Sequence, residues 1–203
     1  MKKFKIFFDI EKEEKWLNAM LQKGWLCTHA NTFGFYYTFQ KTADIDQVIR
    51  IDHQNGLKKE ARQNYLQLHE DFGWRTIKTN VSTSTYYWVK RKDGRDDLFS
   101  DDYSQIAKYK RFMKSSATWA VIFFVYSMFF NTSDNFPVFF DLKSAYLTPG
   151  LWDKEGNSFL FAFLFETPFA LMRIIPSWLF ITLSVVYGLT YMRYRKAIQH
   201  LSS

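Results

Sequence analysis

The chain has few cysteines and histidines, two residue types that often form catalytic or metal sites. It has one cysteine, Cys27, which excludes an intramolecular disulfide and is typical of a small buried residue in a reducing compartment. Its four histidines are scattered, and no two of them have the i, i+4 spacing with which a helix holds zinc. Glycine-rich phosphate loops and the Gly-x-Ser-x-Gly elbow are also missing. We therefore expect a protein that is not an enzyme and that holds no metal and no cofactor.

The N-terminus does not have the pattern of a cleavable signal peptide. Residues 1–5 are basic, as the start of such a peptide is, but Asp9 and Glu11 follow before a long apolar segment can form. A pI near 9.3 is typical of proteins that bind nucleic acid. Here, however, the densest basic runs flank apolar segments, where anionic lipid is the simpler partner. We expect no direct contact with nucleic acid.

Two long apolar runs lie in the C-terminal half, at residues 113–130 and 174–192. A helix of about 20 apolar residues crosses a hydrocarbon core about 30 Å thick. Each run has basic residues on one side, and such residues favour the cytoplasmic side of a membrane. These residues are Lys108, Lys110, Arg111 and Lys114 before the first run, and Arg193, Arg195 and Lys196 after the second. We predict a multi-pass bacterial plasma-membrane protein with both termini in the cytoplasm and with these side chains on anionic headgroups.

The acidic connection between the two runs, residues 131–173, is predicted to lie outside the cytoplasm. Within it, residues 158–172 are apolar enough to form a third span, which would place the Arg193 cluster on the outer side. Glu166 and Pro168 in the middle of this segment are costly in lipid. We interpret the segment as interfacial or re-entrant, leading into the second span, and the third span stays open as an alternative.

The first 100 residues contain one order of elements twice, in units at residues 1–46 and 47–92. In each unit a strand precedes a helix that ends at a Gly-Trp pair, and two more strands follow. Asp9 is suited to cap the first helix, and Gly24 and Gly73 are suited to end the two helices. We predict an α+β fold with a duplicated, ferredoxin-like, antiparallel cytosolic domain at residues 1–100.

A connecting helix is predicted at residues 101–114, capped by Ser100 or Asp101. It runs without a breaker into a membrane region at residues 115–203. A rigid connection of this kind suits transmission of a signal, and a simple membrane stem explains the pattern equally well.

Aromatic residues alternate along the predicted strands, so that both sheet faces carry rings. We expect the two helices to cover one face only, so that the other face is exposed, packed on the membrane-proximal stem, or used to hold a ligand or partner. We select Tyr37, Tyr86 and Trp88 as candidate partner-binding residues. Packing of the same rings inside the core is the alternative reading, and it stays open.

Several blocks in the first half carry a family resemblance. They are KFKIFFDIEKEEKWLNAM, KGWL, RID, EDFGW, and LFSDDYS followed by YKR. In these blocks the chain resembles the bacterial membrane-protein family named domain of unknown function 2812 (DUF2812). The resemblance implies an uncharacterised cytosolic domain attached to membrane helices, often encoded beside a PadR-like transcriptional regulator in Gram-positive bacteria. It brings no catalytic residues with it.

Two functions agree with this organisation. In the first, the cytosolic domain binds a protein partner such as a PadR-like regulator and sequesters it in envelope-linked signalling. In the second, the chain is an accessory or resistance protein that works with a transporter subunit through its outer aromatic segment. That segment contains Phe136, Phe139, Phe140, Trp152 and the phenylalanines of residues 159–165.

Overall fold

The computed structural model of the chain describes residues 1–31, 35–54, 56–79, 84–99, 101–129 and 142–202. The chain divides into two compact units. We call Met1–Met113 together with Arg193–Ser203 the sheet unit, and Lys114–Met192 the helical unit. The C-terminal residues therefore belong to the same unit as the N-terminal ones.

The strands and two of the helices lie in the sheet unit. Their bounds are β1 Lys2–Phe4, α1 Ile10–Gln22, β2 Trp25–Asn31, β3 Tyr36–Lys41, β4 Gln47–His53, α2 Lys59–Asp71, β5 Arg75–Thr79 and β6 Thr85–Arg91. Two long helices follow, α3 Asp102–Phe129 and α4 Gly156–Leu201, with short 3-10 turns at Leu142–Ala145 and Leu151–Asp153 between them. Each long helix contributes residues to both units.

Local sequence explains where α1 begins and ends. The Asp9 carboxylate accepts hydrogen bonds from the backbone N–H groups of Glu11 at 3.0 Å and Lys12 at 3.4 Å. Gly24 follows the helix with φ 77°, in the left-handed region that a β-carbon disfavours, and its N–H donates to the Leu21 carbonyl at 2.8 Å. Both predicted caps are confirmed.

The first strand is shorter than we predicted. The alternating residues Phe4, Ile6 and Phe8 predict a strand at residues 4–8, but β1 covers Lys2–Phe4. Its partner β3 begins at Tyr36, which lies opposite Phe4. The chain leaves the sheet after Lys5, whose N–H donates to the Phe35 carbonyl at 2.9 Å.

The six strands form one sheet in the order β1-β3-β2-β5-β6-β4. Neighbouring strands are antiparallel except for β2 and β5, which are parallel. The two strand-helix-strand-strand segments thus meet along β2 and β5, each with the same internal order. The fold is mixed α+β, and the ferredoxin-like arrangement is not confirmed.

Helices α1 and α2 cover opposite faces of the sheet. The main core, under α1, includes Ile49 and Tyr87, and the smaller core, under α2, includes Val48 and Trp88. Adjacent residues of β4 and β6 therefore point to different cores, as the alternation of apolar residues indicates. Our expectation that both helices lie on one face was wrong, because each face carries large rings that need a cover.

Helix α3 runs without a break, as predicted. The Asp101 carboxylate accepts a hydrogen bond from the Ser104 N–H at 2.8 Å and caps the helix. Ser100, the other predicted cap, lies outside the described residues. By length and composition, both α3 and α4 are apolar enough to cross a membrane.

Helix α4 includes the segment that we interpreted as separate from the second span. Its 46 residues correspond to about 69 Å at 1.5 Å per residue, which is more than twice a hydrocarbon core of about 30 Å. The Glu166 carboxylate, which we expected to be costly in lipid, accepts hydrogen bonds from Arg173 at 2.8 Å and from the Thr148 hydroxyl at 2.9 Å. The helix continues through Pro168.

Candidate functional site

The ends of both long helices enter the main core of the sheet unit. Tyr194 of α4 is 4% exposed, and Tyr109, Phe112 and Met113 of α3 pack against the same core. The Ile10 N–H donates a hydrogen bond to the Tyr194 hydroxyl at 3.2 Å, and the rings of Phe112 and Tyr194 stack at 5.6 Å. We call the contacts of residues 108–113 and 193–194 within the sheet unit the helix junction. These residues are part of a folded core rather than of a linker.

The buried carboxylate of Asp52 in β4 forms hydrogen bonds with side chains of α2 and α3 at the helix junction. Arg111 of α3 donates to the Asp52 carboxylate at 2.9 Å and to the His53 carbonyl at 2.6 Å. The second Asp52 oxygen accepts from the hydroxyl of Tyr65 and from the side-chain amide of Gln54, both at 2.8 Å. Asp52 is fully buried, and a buried carboxylate is tolerated only with such partners. A displacement of α3 would therefore leave this charge without its cation.

A polar cavity of about 230 Å³ lies between α1, β4 and α3. Two ion pairs line it, Lys108 with Glu14 at 3.7 Å and Arg50 with Asp97 at 3.0 Å. Burial raises the pKa of Glu14, although Lys108, Arg50 and a hydrogen bond from the Ile51 N–H all favour its charged form. The four side chains carry two charges of each sign, so the cavity has no excess charge with which to select an ion.

A second buried carboxyl, Glu13, lies inside the main core. The hydroxyls of Tyr37 and Tyr87 donate to one of its oxygens at 2.7 Å and 2.5 Å. Burial raises the pKa of Glu13 from 4.5 to about 7, and the two hydrogen bonds oppose this shift. Burial likewise raises the pKa of the Cys27 thiol to about 12. These groups are enclosed by packed side chains, which indicates a structural role.

Metal ligands do not cluster in the part of the chain that the structure describes. No group of three or more His, Cys, Asp or Glu side chains there has a geometry that could hold a metal ion.

The basic residues that we expected on headgroups fall into two sets. Three of them form ion pairs inside the sheet unit: Lys108 with Glu14, Arg111 with Asp52, and Arg193 with Asp9. Arg193 is exposed despite its ion pair, and the other four residues, Lys110, Lys114, Arg195 and Lys196, are exposed as well. The first set stabilises the helix junction. For the second set, contact with headgroups stays a prediction.

The three candidate partner-binding rings are buried. Tyr37 is 3% exposed in the main core, while Tyr86 at 9% and Trp88 at 0% lie in the smaller core. They offer little surface to a partner, in agreement with the packing alternative. Asp52 is not among the predicted site residues, although an acid that follows Val48, Ile49 and Ile51 in the same strand is a signal that the sequence contains.

The described residues thus define a mixed α+β protein whose sheet unit is joined to two helices long enough to span a membrane. The chain belongs to the family described as "Protein of unknown function (DUF2812)", whose profile matches residues 9–123 and confirms the resemblance. The matched region contains strands β2 to β6 and the α3 side of the helix junction. No curated protein and no solved structure matches the chain.

Proposed function

We propose that the chain is a non-enzymatic bacterial plasma-membrane protein whose cytosolic sheet unit reports the state of its two spans to a protein partner. The observation that carries this proposal is the buried position of Tyr194 beside Phe112 in the main core. Because both helices supply core residues, the core is complete only when the two helix ends are together. A shift of either helix then changes the packing and polar contacts of the sheet unit.

The orientation of the chain is part of the proposal. The exposed basic residues Lys110, Lys114, Arg195 and Lys196 follow the positive-inside pattern, which favours the cytoplasm for both termini. We also propose that the sheet unit arose by duplication. The matching strand orders β1-β3-β2 and β4-β6-β5 support this origin.

The partner that we favour is a PadR-like transcriptional regulator, which the family resemblance suggests. A regulator held at the membrane cannot reach DNA, so its release changes transcription. Helix α2 offers the most suitable contact surface, because Leu68 and Phe72 are 54% and 63% exposed at its C-terminal end. Exposed apolar side chains on a helix are suited to pack against a protein partner.

The test uses the full chain, expressed in its host with a C-terminal tag and a photo-crosslinking residue at position 68. We expect it to capture a DNA-binding protein. Arg111→Gln should change the yield at equal expression, because it breaks the contact with Asp52, whereas the exposed neighbour Lys110→Gln should not. Capture of membrane transport proteins alone would contradict the proposal.

A role as an accessory or resistance protein is a second candidate, and the helical unit offers one observation in its favour. Four rings there form a cluster, with Tyr146 stacked on Phe163 at 5.2 Å and Phe159 stacked on Phe163 at 5.5 Å. Trp152 packs edge-on against Tyr146 at 5.3 Å. Phe136, Phe139 and Phe140 lie outside the described residues. If this role is correct, Trp152→Ala should reduce resistance to a membrane-active compound and leave crosslinking at position 68 unchanged.

A further inference from the structure

The first eight residues form a segment that is both basic and apolar, which we call the N-terminal arm, and all of them except the half-buried Phe7 are exposed. Phe4 is 70% exposed and Ile6 is 44% exposed, and Lys2, Lys3 and Lys5 alternate with them. The arm has no acidic residue. Within the part of the chain that the structure describes, its lysines contact rings and a sulfur atom but form no ion pair. Their charge is therefore available to an anionic partner.

Phe35 extends the apolar surface of the arm. Its ring meets that of Phe4 edge-on at 6.2 Å and is 42% exposed. Its backbone has φ 53°, in the left-handed region that is unfavourable for a residue with a β-carbon, and among the described residues it is the only such case outside glycine. The fold thus keeps the exposed Phe35 ring beside Phe4, although the backbone conformation of Phe35 is unfavourable.

The arm ends beside the helix junction. Asp9, the next residue along the chain, forms an ion pair with Arg193, and the Ile10 N–H donates to the Tyr194 hydroxyl. Arg193 directly follows the apolar run 174–192. If α4 crosses the bilayer, the end of the arm is therefore held where that run ends, at the level of the headgroups.

We propose that the N-terminal arm, together with Phe35, docks on the anionic surface of the membrane. Segments that bind at an interface combine apolar side chains, which enter the headgroup region, with lysines, which attract anionic lipid. The spans also keep the arm close to the bilayer, so a weak attraction is sufficient. This inference rests on the proposed membrane anchorage.

The alternative binding partner for the arm is a second copy of the chain, because β1 is an edge strand of the sheet and edge strands can pair with another chain. Pairing two β1 strands would bring the lysines of one arm against those of the other. Like charges on adjacent strands are destabilising. The charge of the arm therefore favours lipid over a copy of itself.

The experiment uses the full chain in nanodiscs of phosphatidylcholine, with or without phosphatidylglycerol. An environment-sensitive fluorophore is attached to Phe4→Cys, and quenching by a nitroxide-labelled lipid is compared with quenching by aqueous iodide. Phe72→Cys is the matched control, since Phe72 is a similarly exposed phenylalanine at 63%. Val185→Cys, at an exposed position of α4, reports whether the helix itself lies in lipid.

We expect the label at position 4 to be quenched by lipid when phosphatidylglycerol is present, and the label at position 72 to remain accessible to iodide. Replacing Lys2, Lys3 and Lys5 with glutamine should reduce the ratio of docked to free arm about fivefold per lysine. The same replacement of Lys58, Lys59 and Lys78, which are also exposed, should leave the ratio unchanged.

Two results would overturn the inference and leave the anchorage intact. In one, position 185 is quenched by lipid while position 4 stays accessible to iodide in both kinds of disc. In the other, position 4 is protected only in discs that hold two copies of the chain, which indicates self-association. Absence of lipid quenching at position 185 would instead overturn the anchorage, and the docking with it.

Discussion

Asn18 of α1 and Ile49 of β4 exchange two hydrogen bonds. The side-chain amide of Asn18 donates to the Ile49 carbonyl at 2.9 Å, and the Ile49 N–H donates to the Asn18 side-chain oxygen at 2.9 Å. Because β4 is an edge strand, this carboxamide takes the place of the peptide group of a neighbouring strand. Glu14 accepts from the Ile51 N–H at 3.2 Å and continues the same pattern. Helix α1 thus closes the β4 edge to other chains.

Replacing Asn18 with alanine should destabilise the sheet unit by about 2 kcal/mol. Ile49 is fully buried, so both of its backbone groups would lose their partner without gaining water. The measurement is denaturant unfolding of the full chain in detergent micelles. Asn64→Ala, at an exposed position of α2, is the matched control and should change the free energy of unfolding by less than about 0.5 kcal/mol. Equal midpoints for the two variants would show that the Asn18 contacts contribute nothing.

Replacing Arg111 with glutamine should cost about 3 kcal/mol of unfolding free energy. The variant leaves the Asp52 carboxylate, which is 0% exposed, without its cation. Asp52→Asn should lower the free energy of unfolding less in the Arg111→Gln variant than in the natural chain. In that variant the Asp52 carboxylate has already lost its cation, so removing its charge costs less. A double-mutant cycle measures this coupling, and additive effects would argue against it. Lys110→Gln serves as the control.

Stability should depend on pH through Glu13. Its folded pKa of about 7 lies above the ordinary value of 4.5, so the folded state holds the proton more tightly than the unfolded state does. This contribution is fully present below pH 4.5 and is lost as pH rises through about 7. As pH rises from 4.5 to 8, the free energy of unfolding of the natural chain should therefore fall by up to about 3 kcal/mol relative to that of the Glu13→Gln variant. If the two unfolding curves run parallel across this range, Glu13 does not titrate as we expect.

Cys27 should not react with thiol reagents while the chain is folded. The side chain is 1% exposed, and burial raises its pKa to about 12, so almost no thiolate is present at neutral pH. We expect maleimide to label the natural chain only after unfolding, and to label Phe4→Cys at once. Rapid labelling of the folded natural chain would show that the main core opens readily.

The features that the sequence predicted correctly are local. Caps at Asp9, Gly24 and Asp101 depend on side chains and backbone within a few residues, and each is visible in the sequence. The alternation of Tyr86, Tyr87 and Trp88 between two faces is local as well.

The features that were missed join distant parts of the chain. Ile10 and Tyr194 are 184 positions apart, and no periodicity links them. A basic residue next to an apolar run predicts contact with headgroups, yet Arg111 turns to Asp52 because a fully buried carboxylate attracts a cation more strongly than water or lipid does. The opposite placement of α1 and α2 depends on the parallel pairing of β2 with β5, which sequence patterns do not specify.

The position of Tyr194 also constrains the order of events during synthesis. Strands β1 to β6 leave the ribosome well before residue 194 is made, so the main core stays incomplete while the later helices are translated. A contact between residues 10 and 194 is among the most distant that this chain can make, and such contacts form late. A chain in which α4 does not bring Tyr194 into the main core therefore stays incompletely folded. Proteases degrade incompletely folded chains, so this contact distinguishes correctly assembled copies from failed ones.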